Sequence, residues 1–190
     1  LAMSAGTMVA CAGAKIYMGK QSSIGPIDPQ FNGIPAYGVI EEFNRAIEEV
    51  KEDSAKIPIW QTIISKYHPA FLGECMNAIE WSKDIVSDWL SSGMFANENN
   101  AEKSANEIVK RLSDRSTMKT HSRHLSVEQA EEMGLIIEKL ENDDDLQDLI
   151  LTVHHCYMHT FSASTAIKII ENHNGAAYVF HAQVQVPKNR

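Results

Sequence analysis

The sequence predicts an α/β protein, with a compact layer of helix and strand at its start running into a long helical part. Two observations carry this. Residues 1–37 are rich in small residues, Gly and Pro and read as a helix followed by a strand, whereas charged, amphipathic helical patterns dominate from Gly38 onward. No internal repeat is visible.

Each element follows from local chemistry. Ser4 to Gly13 has small and apolar residues on all sides, the pattern of a buried helix opened by Ser4 and closed by Gly13. Lys15 to Met18 reads as a short buried strand, and Gly19 to Gly33, punctuated by Gly25, Pro26 and Pro29, as a loop. Val39, Ile40, Phe43, Ala46, Ile47 and Val50 then recur at helical spacing, opposite Glu41, Glu42, Glu48 and Glu49. Pro58 opens the next helix, to about Tyr67, and Pro69 starts another that runs to about Leu90. A further helix spans Asn97 to Ser113. The last long one begins after Asn142, where Asp143, Asp144 and Asp145 suit the positive end of a helix dipole, and continues to Phe161.

Composition narrows the function. A chain of 190 residues with 44% apolar content can bury a real core. A formal charge of -8 argues against nucleic acid or an anionic membrane as partner. The basic cluster from Lys103 to Arg123 is interleaved with Glu and Asp and reads as a solvated surface. Cys11, Cys75 and Cys156 lie far apart without CxxC spacing, which suggests a reducing, cytoplasmic setting rather than a disulfide scaffold or zinc ribbon. No run approaches the ~20 apolar residues of a membrane span. The chain opens in mid-pattern, so the expectation is an N-terminally truncated sequence with room for an upstream membrane anchor.

Ser4 is the first candidate for chemistry. A serine at the first turn of a buried helix, followed by Ala5 and Gly6, presents a hydroxyl beside backbone N–H groups that have no partner within the helix. Acyl transfer needs that combination, a nucleophilic oxygen with amides aimed at a developing oxyanion, together with a base. A serine here is also an ordinary N-cap.

Ala2-Met-Ser-Ala-Gly-Thr-Met8, with Cys11 to Met18 and Ser22-Ser-Ile-Gly-Pro-Ile-Asp28, resembles the nucleophile region of the ClpP/crotonase superfamily. The likeness is closer to signal peptide peptidase A and the serine dehydrogenase proteinase family. Ser122 to Leu135 is similar to the segment of these proteins in which a short helix ends at Gly-Leu and enters a strand, here Ile136 to Lys139. Trp60 to Trp81 and His154 to Thr160 extend the resemblance over most of the chain. It implies stacked βα units of the ClpP/crotonase type in a catalytic domain of residues 1–140, with a helical insertion at about 38–115 and a C-terminal helical segment at 141–190. It also implies peptide or protein substrates, unfolded or membrane-derived, assembly into a homo-oligomer, and no cofactor.

The implied mechanism is a Ser-Lys dyad in which Ser4 attacks and a desolvated lysine is the base. Lys66, among Ile63, Ile64 and Tyr67, is favoured; Lys56, beside Glu52 and Asp53, is the alternative. The visible oxyanion donor is the Ala5 N–H, because the superfamily's Gly-Gly turn falls upstream of residue 1, and the chain alone is expected to be nearly inactive. Ile27-Asp28-Pro29 stands where ClpP places its catalytic histidine. Rival readings on the same fold are a crotonase-like acyl-CoA enzyme, which Ser4 disfavours, and a non-catalytic assembly module.

His155 and His159, with His154 beside them, share a helical face, but no Glu of an HExxH motif and no third ligand accompanies them. They read as packing or interface residues, and no metal is expected. His121 and His124 flank Arg123 ahead of Ser126 and read as loop hydrogen-bonding groups, second in line for the base. Trp60, Trp81 and Trp89 fall on apolar helical faces, in the core or a subunit contact.

Overall fold

The computed structural model describes residues 1–114 and 124–183. It divides into two units, Leu1–Lys139 and Leu140–Arg190. The first is mixed α/β. Its elements are α1 (Ala5–Cys11), β1 (Ile16–Met18), the hairpin strands β2 (Gln30–Phe31) and β3 (Ile34–Pro35), α2 (Ala36–Glu52), α3 (Ile57–Ile64), α4 (Phe71–Trp89), α5 (Ala101–Ser113), α6 (Val127–Met133) and β4 (Ile137–Lys139). Parallel pairing of β1 with β4, Ile16 opposite Ile137 and Met18 opposite Lys139, closes the unit across the whole helical region. A parallel pair needs a crossover, and here α2 to α6 supply it.

Local chemistry explains most boundaries. Asn32 and Gly33 both take positive φ (51° and 83°), as the tight turn of the β2–β3 hairpin requires. Pro58 sits in the first turn of α3. Ser126 and Gln129 form a reciprocal capping box on α6, and Gly134 ends that helix at φ 106°. The α4 helix runs on into a π-helical turn, Leu90–Met94.

Burial forms two clusters. In the larger, Cys11, Ile16, Met18, Ile24 and Ile27 pack against Val86, Leu90 and Met94, the α5 residues Ile108 and Leu112, and Leu125 and Ala130. In the smaller, Ala36 and Val39 of α2 meet Phe71, Cys75 and Ile79 of α4. Each large side chain buried this way stabilises the fold by roughly 1.5–3 kcal/mol. One expectation needs correction: α1 is not buried all round and does not reach Gly13. Thr7 and Cys11, one turn apart, are buried and Met8 and Ala10 pack partly against the core, while Ala5, Gly6 and Val9 are exposed and Ala12 caps the end in the right-handed region.

The second unit consists of a 3-10 turn, Leu140–Asn142, then α7 (Asp144–Ala163), β5 (Ala166–Glu171) and β6 (Ala177–His181). The Asp143 carboxylate accepts from the Leu146 N–H at 3.0 Å and caps α7. An antiparallel hairpin follows, with Ile170 opposite Tyr178, a feature that a helical reading of 141–190 does not contain. Its strands are β-branched and aromatic, and they flank an Asn-His-Asn-Gly turn. No helix among the described residues is long and apolar enough to cross a membrane.

Candidate active site

Ser4 lies where an extended segment turns into α1. The segment is pinned along the loop that follows β1: the Ala2 N–H donates to Ser23 O at 3.0 Å, the Gly25 N–H to Ala2 O at 2.7 Å, and the Ser4 N–H to Pro26 O at 3.2 Å. The chain must therefore change from extended to helical within one residue. Ser4 does this at φ 49°, ψ −113°, a conformation that costs a side-chain-bearing residue about 1–3 kcal/mol. This geometry shows that Ser4 does not act as a side-chain cap of α1. Its hydroxyl makes no capping bond to α1 and donates instead to the backbone oxygen of Asp28 at 3.1 Å.

Packing beneath Ser4 holds the turn. Thr7, fully buried, directs its hydroxyl at Ala2 O (3.0 Å) and Gly25 O (2.8 Å), tying α1 to both segments that hold Ser4. The Met3 side chain packs over Gly25, its sulfur 2.2 Å from where a Cβ would stand, so a side chain there would have to displace it. The Ala5 N–H has no partner among the described residues, whereas the Gly6 N–H is taken by Met3 O at 2.8 Å. The half-buried Ser4 hydroxyl and the Ala5 amide are thus adjacent on one turn.

A family model for ClpP-like SDH-type serine proteinases matches residues 1–170. The chain belongs to that family. Among curated proteins, it is similar to the uncharacterized protein MJ1495 of Methanocaldococcus jannaschii, 29% identical over 70% of this chain and 38% of the relative. It is also similar to the uncharacterized protein MJ0137 of the same organism, 30% identical over 72% of this chain and 41% of the relative. The chain thus spans about two fifths of the length of these relatives. No solved structure matches it significantly.

The surroundings of the two lysines differ from the apolar setting that the sequence suggested. Lys66 follows α3 and is exposed, at the rim of a cavity of about 590 Å³ that Phe31, Tyr67 and Phe71 also line and Ser4 does not. Lys56 lies in the 3-10 turn before α3 and pairs with Glu49 at 3.5 Å. Neither has the apolar burial that a lysine base requires. The histidine segment is joined to the Ser4 segment through two isolated bridges. Ala2 bridges Ile24, Ile24 bridges Leu125, and His124, exposed, has Nδ1 3.4 Å from the Ser23 hydroxyl. His121 lies outside the described residues.

The remaining candidates are spread out. His154, His155 and His159 are exposed on α7, and no group of three or more metal-binding side chains occurs among the described residues. Trp60 is buried and donates its Nε1–H to Glu49 at 3.2 Å, but Trp81 is exposed rather than part of the core. Burial pushes the Cys11 thiol up to about 12, so it is no nucleophile. Sequence reasoning missed Thr7 and the Asp28 carbonyl. Thr7 sits at i+3 from Ser4, so its place on the inner face of α1 was readable; the carbonyl contact depends on a loop 24 residues away.

Proposed function

We propose that this chain carries the nucleophile of a serine peptidase and that Ser4 forms an acyl-enzyme with peptide substrates, drawn from unfolded or membrane-derived segments. The observation that carries the reading is the strained Ser4, whose hydroxyl leaves the helix uncapped beside the unpartnered Ala5 N–H. Ser4 Oγ attacks the scissile carbonyl while its proton passes to the base, and the Ala5 N–H donates to the oxyanion. Collapse breaks the C–N bond, the leaving amine takes the proton, and water then hydrolyses the ester.

Lys66 is the base in the dyad that the resemblance implies, with Lys56 as alternative. For Lys66 to act, its ammonium must be covered by chain outside these residues or by a second copy in a homo-oligomer. A histidine base is the second reading, favoured by the order Ala2, Ile24, Leu125, which carries His124 toward the Ser4 side of the loop.

Fluorophosphonate labelling and peptide cleavage by the full-length protein test both. Ser4→Ala should abolish labelling, and persistence of the label would remove the nucleophile. Loss of cleavage in Lys66→Ala alone supports the dyad there, and loss in Lys56→Ala alone moves it. Full activity in both with loss in His124→Gln replaces the lysine by histidine.

A further inference from the structure

Buried polar side chains gather at the Ser4 turn. Among the described residues three are buried: Thr7, Ser82 and Asp28. Ser82 is satisfied within its own helix, where its hydroxyl donates to Ala78 O at 2.7 Å, and Thr7 ties together the two segments that hold Ser4. Asp28 is the charged member of the three, 8% exposed at the end of the buried run of residues 24–28. Taking a carboxylate out of water costs several kcal/mol, so proteins keep one there where its charge is matched or used.

The position of Asp28 is fixed from both sides. Pro29 disfavours the helical region for the residue before it. The Ile27 N–H donates to Leu112 O at 3.3 Å, and Pro29 O accepts from the Ala36 N–H at 2.8 Å. Between these anchors Asp28 O accepts from Ser4 Oγ at 3.1 Å. Covalent geometry keeps an aspartate carboxylate within ~5 Å of its own carbonyl oxygen, which places the Asp28 carboxylate within ~8 Å of Ser4 Oγ. Two hydrogen bonds of ~2.6–3.2 Å, with one imidazole or ammonium between them, fit that span.

We propose that the Asp28 carboxylate is the positioning residue of the Ser4 site, orienting the general base and holding the positive charge that the base acquires. The proposal rests on the reading of Ser4 as nucleophile, and it is the same for a lysine or a histidine base. As the bond from Ser4 Oγ to the scissile carbon forms, the hydroxyl proton passes to the base, which becomes a cation. Asp28 receives no proton; it faces that cation and stabilises it while the oxyanion develops. Low local dielectric makes this attraction stronger than it would be in water. On collapse the base returns the proton to the leaving amine.

The test is the rate at which a fluorophosphonate labels Ser4 in the full-length parent, Asp28→Asn and Asp28→Glu proteins, resolved into a maximal rate and a half-saturating probe concentration. Asn matches Asp in shape and keeps an acceptor oxygen but lacks the charge. Asp28→Asn should lower the maximal rate about 100-fold or more, with half-saturation within about threefold of the parent and the urea midpoint little changed. Asp28→Glu restores the charge one methylene further out and should recover about tenfold or more of the lost rate. A parent-like rate in Asp28→Asn overturns the proposal, as do equal rates in the Asn and Glu variants. Loss of folding in Asp28→Asn, or a loss carried by half-saturation alone, makes the carboxylate structural and overturns it too. The two readings separate in the parent: no label on Ser4 removes the nucleophile itself, whereas labelled Ser4 with a parent-like Asp28→Asn removes Asp28 alone.

Discussion

Strain at Ser4 can be measured directly by comparing Ser4→Gly with Ser4→Ala. Both variants lose the hydrogen bond to Asp28 O, so its contribution of about 0.5–1.5 kcal/mol cancels between them. What differs is the backbone. At φ 49°, ψ −113° a Cβ costs about 1–3 kcal/mol, which glycine avoids, and glycine gives back about 0.5–1 kcal/mol through its freer unfolded state. Ser4→Gly should therefore be the more stable by about 0.5–2 kcal/mol. With a urea m-value of about 1–3 kcal/mol/M, that is a midpoint shift of several tenths of a molar. Tryptophan fluorescence reports it, because Trp60 is 5% exposed in the folded state. Equal midpoints, or a more stable Ser4→Ala, would refute the strain and with it the argument that the turn is built to present the hydroxyl.

Thr7→Val removes the buried hydroxyl that serves Ala2 O and Gly25 O; it should cost about 1–3 kcal/mol in the same assay and reduce fluorophosphonate labelling as the turn loosens. Gly93→Ala sets a methyl 3.2 Å from the Ala12 backbone oxygen, which has no flexible end to move aside, so a destabilisation of about 1–2 kcal/mol is expected by urea titration. Ser126→Ala breaks the α6 capping box and should cost about 1 kcal/mol, with thermal denaturation as the check. Iodoacetamide with mass spectrometry should modify exposed Cys156 first and spare Cys11 until unfolding. The Cys11 thiol, raised by burial from 9.0 to about 12, keeps its proton in the folded chain while the unfolded chain releases it, so stability should fall as pH rises through that window; Cys11→Ala should flatten the slope.

Much of the helical scaffold was legible because its signals are local. The spacing of Val39, Phe43 and Ala46, Pro58 in a first turn, Asp143 as a cap and Gly134 as a stop each act within a turn of the helix they define. Ser4 as the opener of a helix was legible for the same reason. Its strain and the direction of its hydroxyl were not, because they come from hydrogen bonds to Pro26 and Asp28 that hold the incoming segment extended. Lys66 shows the same divide. Apolar neighbours in sequence suggested a desolvated base, yet α3 ends at Ile64 and Lys66 lies in the turn beyond it, exposed to solvent while Ile63, Ile64 and Tyr67 are half-buried. The hairpin of β5 and β6 had its β-branched signal in the sequence, but the parallel register of Ile16 with Ile137 joins segments separated by the entire helical region. The sequence by itself determined which segments coil, whereas the ends of α1 and α3, pairing across that distance, and hence the surroundings of Ser4, were decided by tertiary packing, since only contact between remote segments sets burial and backbone strain.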